Sequence, residues 1–293
     1  MLETSIAQHE LPQWFDSCMY HFAPHTFQTA AGKMHYIDQG QGEPVVFVHG
    51  NPGWSFEFRD VINGISFKRR CIAPDHIGFG LSDKPADWDY LPEQHAEHFN
   101  ALMDALDLQG MTLVVSDWGG PIGLSYALLN PERIKRLVII NSWMWSVKDD
   151  GYYRMLSGLM GGAVGRFLTG NFNFFARAVV PMVYGKHRKL TREVHHFMSA
   201  PLASKAERKG AYVFPQQIIG SSDWLAQLWA QRAKLMGIPT TIIWGMRDIA
   251  FREKELRTWV EALQPEKVIR LEDVGHYAHD EAPDVLAQEL LRS

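Results

Sequence analysis

The 293-residue sequence predicts an α/β protein built on a mostly parallel sheet with helices on both faces. Three observations predict it. Several short β-branched runs are apolar throughout, which is how a strand reads when both faces of its sheet are covered. Most of these runs lead into residues of helical spacing, as crossovers between parallel strands require. Finally, the stretch LVVSDWGGPIG, residues 113–123, passes from such a run through Gly119-Gly120 into helix formers, which describes a strand, a sharp turn and a helix. That is a nucleophile elbow, with Asp117 at its apex and Trp118 beside it.

The elements follow in order. The segment up to residue 24 has no period and is expected to drape over the core. Residues 26–29 and 34–39 alternate and turn near Gly32, so they read as an antiparallel pair. Residues 44–48 are continuously apolar and end in the loop His49-Gly50-Asn51-Pro52-Gly53-Trp54. Residues 69–74 form the next strand and lead into a glycine-bearing loop, residues 75–85. Its two glycines lack the third that a dinucleotide fingerprint needs. Residues 91–106 have helical spacing with Pro92 suited to a first turn. His95 and His98 share a face there; without a third ligand they read as exposed helix residues rather than a metal site. Residues 121–129 are the helix after the elbow, and 133–140 the sixth strand, closing at Asn141-Ser142.

From residue 143 to 224 the alternation of strand and helix stops, and aromatic, Met and Gly residues take over in short helical patterns. Gly161, Gly162 and Gly165 suggest close helix packing, and His195 and His196 a solvated face. Strand character resumes at 239–245, followed by Asp248, and again at 267–271, followed by His276; residues 283–291 close the chain as a helix. Asp117, Asp248 and His276 thus each fall at the carboxyl end of a predicted strand, where open α/β sheets place their sites.

Composition is permissive. A hydrophobic content of 46% supports one sizeable core, and a net charge of -4 without a block of Lys or Arg weighs against nucleic acid or an anionic membrane as partner. Two cysteines, Cys18 and Cys71, make no disulfide framework and fit a reducing cytoplasm. Residues 1–15 lack the basic start and apolar run of a signal peptide, and no apolar stretch is long enough to span a bilayer. A soluble, cytoplasmic protein is expected.

The Asp117-Trp118 elbow, the His49-Gly50-Asn51-Pro52 loop and the chain order Asp117, Asp248, His276 resemble the α/β-hydrolases with an aspartate nucleophile, above all the haloalkane dehalogenases. The resemblance covers nearly the whole chain after the first two dozen residues and is weakest across 143–224. It implies an α/β-hydrolase fold with an eight-stranded sheet. The core domain would be residues 1–142 and 225–293, and a helical cap domain, 143–224, would be inserted after the sixth strand. It also implies a substrate of small halogenated alkanes with water, a halide ion as product, and no cofactor or metal. Oligomeric state is not implied.

The chemistry of that family explains the residue types. A carboxylate is ionised at neutral pH and can displace a leaving group from saturated carbon to form an alkyl ester. His276, oriented by Asp248, would then activate the water that hydrolyses the ester. Backbone N–H groups of Asn51 and Trp118 would form the oxyanion hole, and the Asn51 amide with the Trp118 indole would stabilise the departing halide. Epoxide hydrolases share the nucleophile, acid and base but usually present two cap tyrosines and a bulky residue where Asn51 stands. Fluoroacetate dehalogenases typically follow the nucleophile with Arg, and luciferase relatives carry Glu where this chain has Asn141. Ser116, where the family more often has Gln or His, is expected to point away from the site, Ser125 to lie inside a helix, and His279 and Asp280 to be surface residues. An α/β-hydrolase fold used only for binding is the alternative of another class; such proteins usually lose a member of the triad.

Overall fold

The computed structural model describes residues 2–3 and 11–292. Most of the N-terminal stretch read for a targeting signal therefore lies outside the described residues. The strands are β1 (Leu2–Glu3), β2 (Pro24–Thr29), β3 (Gly32–Gln39), β4 (Glu43–Val48), β5 (Arg69–Pro74), β6 (Met111–Asp117), β7 (Ile134–Ser142), β8 (Thr240–Gly245) and β9 (Lys267–Leu271). Their order across the sheet is β1-β2-β3-β5-β4-β6-β7-β8-β9. The eight expected strands are all present, and the two-residue β1 adds itself at the edge beside β2, so the sixth expected strand is β7. Pairings from β5 through β9 are parallel, while β1, β2 and β3 join antiparallel.

The unbroken apolar runs bury both faces, as their composition requires. Val46, Val48, Leu113, Val115, Leu137 and Ile139 point into one core. Their neighbours Val45, Phe47, Val114, Val138 and Ile140 point into the other. Helices α1 (Arg59–Ile65), α2 (Pro92–Leu106) and α3 (Gly119–Leu129) follow β4, β5 and β6. Phe99 and Leu102 of α2 and Ile122 of α3 cover the first face, and Val61 and Ile62 of α1 the second. Truncating a fully buried ring such as Phe47 to Ala would cost about 3–5 kcal/mol by transfer and cavity terms.

Between β7 and β8 the described chain contains helices only: α4 (Gly151–Gly161), α5 (Ala163–Phe172), α6 (Val180–Val183), α7 (Arg192–Ser199), α8 (Lys209–Gly220) and α9 (Ser222–Ala230), with short 3-10 and π turns among them. Asp150 caps α4 by accepting from the Tyr152 N–H, and Thr191 caps α7. The expected close packing at Gly161 is real, since a Cβ there would overlap the backbone nitrogen of Gln216 in α8. The sheet is completed by α10 (Glu253–Leu263), α11 (Ala278–Glu281) and α12 (Pro283–Leu291). Residues 11–23 do drape over the core: Tyr20 and Phe22 are buried, and the Trp14 ring meets Trp54 and Phe197 edge-on.

Three histidine and acid expectations are corrected. His95 is fully buried, its ring against Phe214 and Trp88, because the helical segment closes over α2. His279 and Asp280 are also buried, at 1% and 2% exposure. Asp280 pairs with Arg59 at 2.6 Å and accepts from the Tyr184 hydroxyl, and His279 lies 3.2 Å from Glu57. His195 is half-buried and contacts the Ala176 carbonyl, whereas His196 is exposed.

Candidate active site

The elbow forms as its residues dictate. Asp117 ends β6 with φ of 50°, a left-handed conformation that a non-glycine residue holds only where its surroundings impose it. Those surroundings are close. A Cβ on Gly119 would overlap the Val48 carbonyl oxygen, and one on Gly50 would overlap the Asp117 carboxylate. Glycine at both positions lets the loop after β4 lie directly against the apex.

That approach divides the surroundings of the two carboxylate oxygens. Oδ1 of Asp117 accepts the backbone N–H of Asn51 at 2.8 Å, and the backbone N–H of Trp118 also bonds the carboxylate. Oδ2 lies 3.9 Å from Nε2 of His276. Nδ1 of His276 in turn meets Oδ2 of Asp248 at 2.8 Å. Asp248 is held from two further sides: its Oδ1 accepts from the Ala250 N–H at 2.7 Å, and its Oδ2 from the Asn141 side-chain amide at 2.9 Å. The structure thus brings together all three residues spaced across 159 positions of chain, from Asp117 to His276.

Burial raises the Asp117 carboxyl above its ordinary value, against the opposing pull of His276 and of the two backbone N–H groups. For His276, burial works downward, but the charge and hydrogen bond of Asp248, reinforced by Asp117, outweigh it and hold the imidazole at about 9. His276 therefore rests as the imidazolium near neutrality. Esterifying Asp117 would delete one of the charges that support the cation, and so lower the His276 value at the stage where a neutral base is needed.

Asn51, Asp117, Trp118 and His276 open into one cavity, whose remaining lining is almost entirely apolar. Trp143, Phe251 and Tyr277 also line it, and Leu156, Met160, Phe175, Val179, Val180 and Met182 come from the helical segment. The Asn51 amide is lightly engaged: among the described residues its side chain makes a 3.5 Å approach to the Ala211 carbonyl, and its Oδ1 has no protein partner. Tyr152 and Tyr153 also line the cavity, but their hydroxyls donate to the Ile249 and Ala250 carbonyls. Ser116 is buried and does not reach the cavity, and Ser125 donates to the Ile122 carbonyl within α3, both as expected. Among the described residues no cluster of His, Cys, Asp and Glu is arranged to hold a metal ion.

Sequence reasoning missed three participants. Asn141, with φ of 31°, uses its amide to bind both Asp248 and the backbone of Gly245. Glu281 bridges the loop before His276 to the helical segment, accepting from the N–H groups of Gly275 and Gly185. The tie of the His276 N–H to the Val183 carbonyl at 2.9 Å is the third, and like the others it had no local pattern to betray it.

The alpha/beta hydrolase fold family model matches residues 43–283, and the chain belongs to that family. Among curated relatives, Haloalkane dehalogenase 2 of Mycobacterium tuberculosis is 32% identical over 94% of this chain and 96% of its own. The cis-3-alkyl-4-alkyloxetan-2-one decarboxylase of Shewanella oneidensis is 37% identical over 90% of this chain and 85% of its own. Among solved structures, a putative ancestral haloalkane dehalogenase superposes with a TM-score of 0.79 at 25% identity, covering 90% of this chain and 96% of that one. The haloalkane dehalogenase DatA from Agrobacterium tumefaciens shares the fold, with a TM-score of 0.82 at 22% identity over 94% of this chain and 97% of that one. The chain is a haloalkane dehalogenase-like α/β-hydrolase.

Proposed function

We propose that the protein is a haloalkane dehalogenase working through a covalent ester on Asp117. The observation that carries this reading is the setting of the Asp117 carboxylate, which lines the cavity and takes the Asn51 and Trp118 backbone N–H groups, the former on Oδ1, while Oδ2 lies 3.9 Å from Nε2 of His276. In the first step Oδ2 bonds to the halogen-bearing carbon while the carbon–halogen bond breaks, and the halide leaves with the bonding pair toward the Asn51 amide and the Trp118 indole. In the second, His276, having lost its resting proton to solvent once the ester has formed, takes a proton from water as the hydroxide attacks the ester carbonyl. Negative charge collects on Oδ1 between the Asn51 and Trp118 N–H groups; collapse breaks the acyl–oxygen bond, the departing alkoxide takes the proton of the new carboxyl, and the alcohol leaves with Asp117 restored as the carboxylate and His276 as the imidazolium. Asp248 orients His276 and supports the imidazolium when it forms. Residues 143–224 act as the cap domain over this site, and residues 1–142 and 225–293 as the core that carries it.

The Shewanella relative favours a second reading, decarboxylation of an oxetan-2-one. Attack by Asp117 at the ring carbon bearing oxygen would break that bond and leave a carboxylate instead of a halide. Loss of CO2 would then expel Asp117 and give an alkene, without water. Epoxide opening has less support, because its leaving alkoxide needs an acid, and the hydroxyls of the cavity tyrosines Tyr152 and Tyr153 are committed to backbone carbonyls. One assay separates the three: bromide release from 1-bromobutane, CO2 and alkene from a cis-3,4-dialkyloxetan-2-one, and diol from styrene oxide. Bromide release by the wild type but not by Asp117→Asn supports dehalogenation. Alkene without bromide transfers the site to the second reading, and diol formation faster than either overturns both.

A further inference from the structure

The whole-chain charge of -4 conceals two unlike regions. Residues 151–192 contain seven Lys or Arg and no Asp or Glu, while the rest of the chain carries 22 Lys or Arg against 33 Asp or Glu. The same short region holds six of the ten exposed large hydrophobic side chains among the described residues: Met155, Leu159, Val164, Phe167, Phe172 and Met182. At 59–68% exposure these are not grazing contacts.

They are also organised. On α4, Arg154, Met155, Gly158 and Leu159 face solvent at helical spacing, while Leu156 and Met160 of the same helix line the cavity. α5 packs on α4 and presents Val164 and Phe167, and the Phe167 ring sits edge-on to Phe172 at 6.1 Å. Met182 belongs to both sets. It and Ile249 are the two well-exposed members of the cavity lining, at 62% and 48%, so the cavity meets solvent at the border of this basic, apolar face.

We propose that the face formed by α4, α5 and the start of α6 docks on an anionic lipid surface, with the cavity mouth turned toward the bilayer. Interspersed cations and large apolar side chains suit a phospholipid interface, where the rings enter the acyl boundary and the cations remain among phosphates. A second copy of the chain does not suit it, since a two-fold contact through this face would set Arg154 and Arg166 against their own copies with no acid in α4, α5 or α6 to offset them. The almost wholly apolar cavity gives the docking a purpose, because an apolar substrate concentrates in the bilayer rather than in water. Vesicle binding does not depend on which reaction Asp117 performs, so this proposal and the proposed function can fail separately.

The test is co-sedimentation of the full chain with vesicles of phosphatidylcholine alone, and of phosphatidylcholine with about a third phosphatidylglycerol, at about 0.1 M and about 1 M salt. Binding at least about tenfold stronger to the anionic vesicles, and lost at high salt, is expected. A Phe167→Ser/Phe172→Ser variant and an Arg154→Gln/Arg177→Gln variant should each lose about tenfold or more while keeping wild-type Tm and wild-type turnover of a dissolved substrate. No binding to anionic vesicles, or variants that bind like wild type, overturns the proposal. So does a concentration-dependent dimer in sedimentation velocity that the Phe167→Ser/Phe172→Ser variant abolishes, or capture of only an acidic protein surface by an otherwise vesicle-inert wild type.

Discussion

The parallel sheet and the helical segment furnish the same cavity in different ways. From the sheet come Asp117 and His276, and behind them Asp248, each fixed by two or more directional contacts. From the helical segment come Leu156, Met160, Phe175 and Val179, half-buried apolar side chains held by packing alone. A hydrogen-bonded carboxylate cannot be moved without breaking its partners, whereas an apolar lining can be exchanged methylene by methylene at modest cost. On the proposed function, chemistry and selectivity are stored apart: reaction type with the sheet edge, substrate shape with the helices.

The largest break should come from the nucleophile. Asp117→Ala is expected to lower kcat by about a millionfold, the scale seen when a covalent catalytic unit loses its attacking group. His276→Phe should behave differently, accumulating an alkyl ester on the Asp117 peptide that intact-protein mass spectrometry detects. If it neither accumulates ester nor releases halide, His276 acts before the ester forms.

Next comes the acid. Asp248→Asn should cost about ten-thousandfold in kcat by leaving the imidazolium unsupported. Adding Asn141→Asp should recover part of it, because the Asn141 amide already lies 2.9 Å from Asp248 and can carry the charge from the end of β7. Near-normal turnover in Asp248→Asn alone would remove Asp248 from the unit.

Asn51→Ala should slow halide release by about a hundredfold, the usual cost of losing one donor to developing charge. It should also weaken bromide quenching of tryptophan fluorescence, which reads the anion beside Trp118 without any turnover. An unchanged quench would take Asn51 out of the leaving-group site.

In the helical segment the effects should be smaller and of another kind. Leu156→Ala or Phe175→Ala is expected to change KM and chain-length preference by about tenfold with kcat for the best substrate largely kept. A loss in kcat matching that of Asp248→Asn would erase the division between the two regions.

The smallest effect concerns stability at the seam between the regions. Burial raises the Glu281 carboxyl to about 7, although the Gly185 and Gly275 N–H groups oppose the rise. An acid with a raised folded value is most compatible with folding when protonated, so its ionisation should cost stability as pH climbs from about 4.5 toward 7. Glu281→Gln should flatten that part of the Tm profile by a few degrees at most. A profile of unchanged slope would show that the ionised form is as well accommodated as the neutral one.

The legible part of the molecule was the part with a local signature. Asp117 was marked by a β-branched run, glycines and a helix within eleven residues, and Asp248 and His276 by their places just past apolar strands. Asn141 was noticed for what it lacked, a charge, and its service to Asp248 depended on a partner 107 positions away. His279 was misread because α11 is only four residues long, too short to show a buried face, and its Glu57 neighbour arrives from the other end of the chain. His95 failed for a related reason: the residues that cover it, such as Phe214, belong to the segment with the weakest pattern.

The hydroxyls of Tyr152 and Tyr153 end on the carbonyls of Ile249 and Ala250, one and two positions beyond Asp248, and the Val183 carbonyl holds the N–H of His276. The helical segment is therefore tethered to the two loops that carry Asp248 and His276. A wholesale outward swing of α4 would have to break the tyrosine tethers or drag the Asp248 loop along with it, and so pull Asp248 from His276 while the door stood open. Rotation of a single exposed side chain such as Met182 disturbs neither tether. Traffic that passes by rotamer change at the rim can thus proceed while the machinery beneath stays assembled, and large substrates that need the helix itself to lift would exchange access for readiness on every cycle.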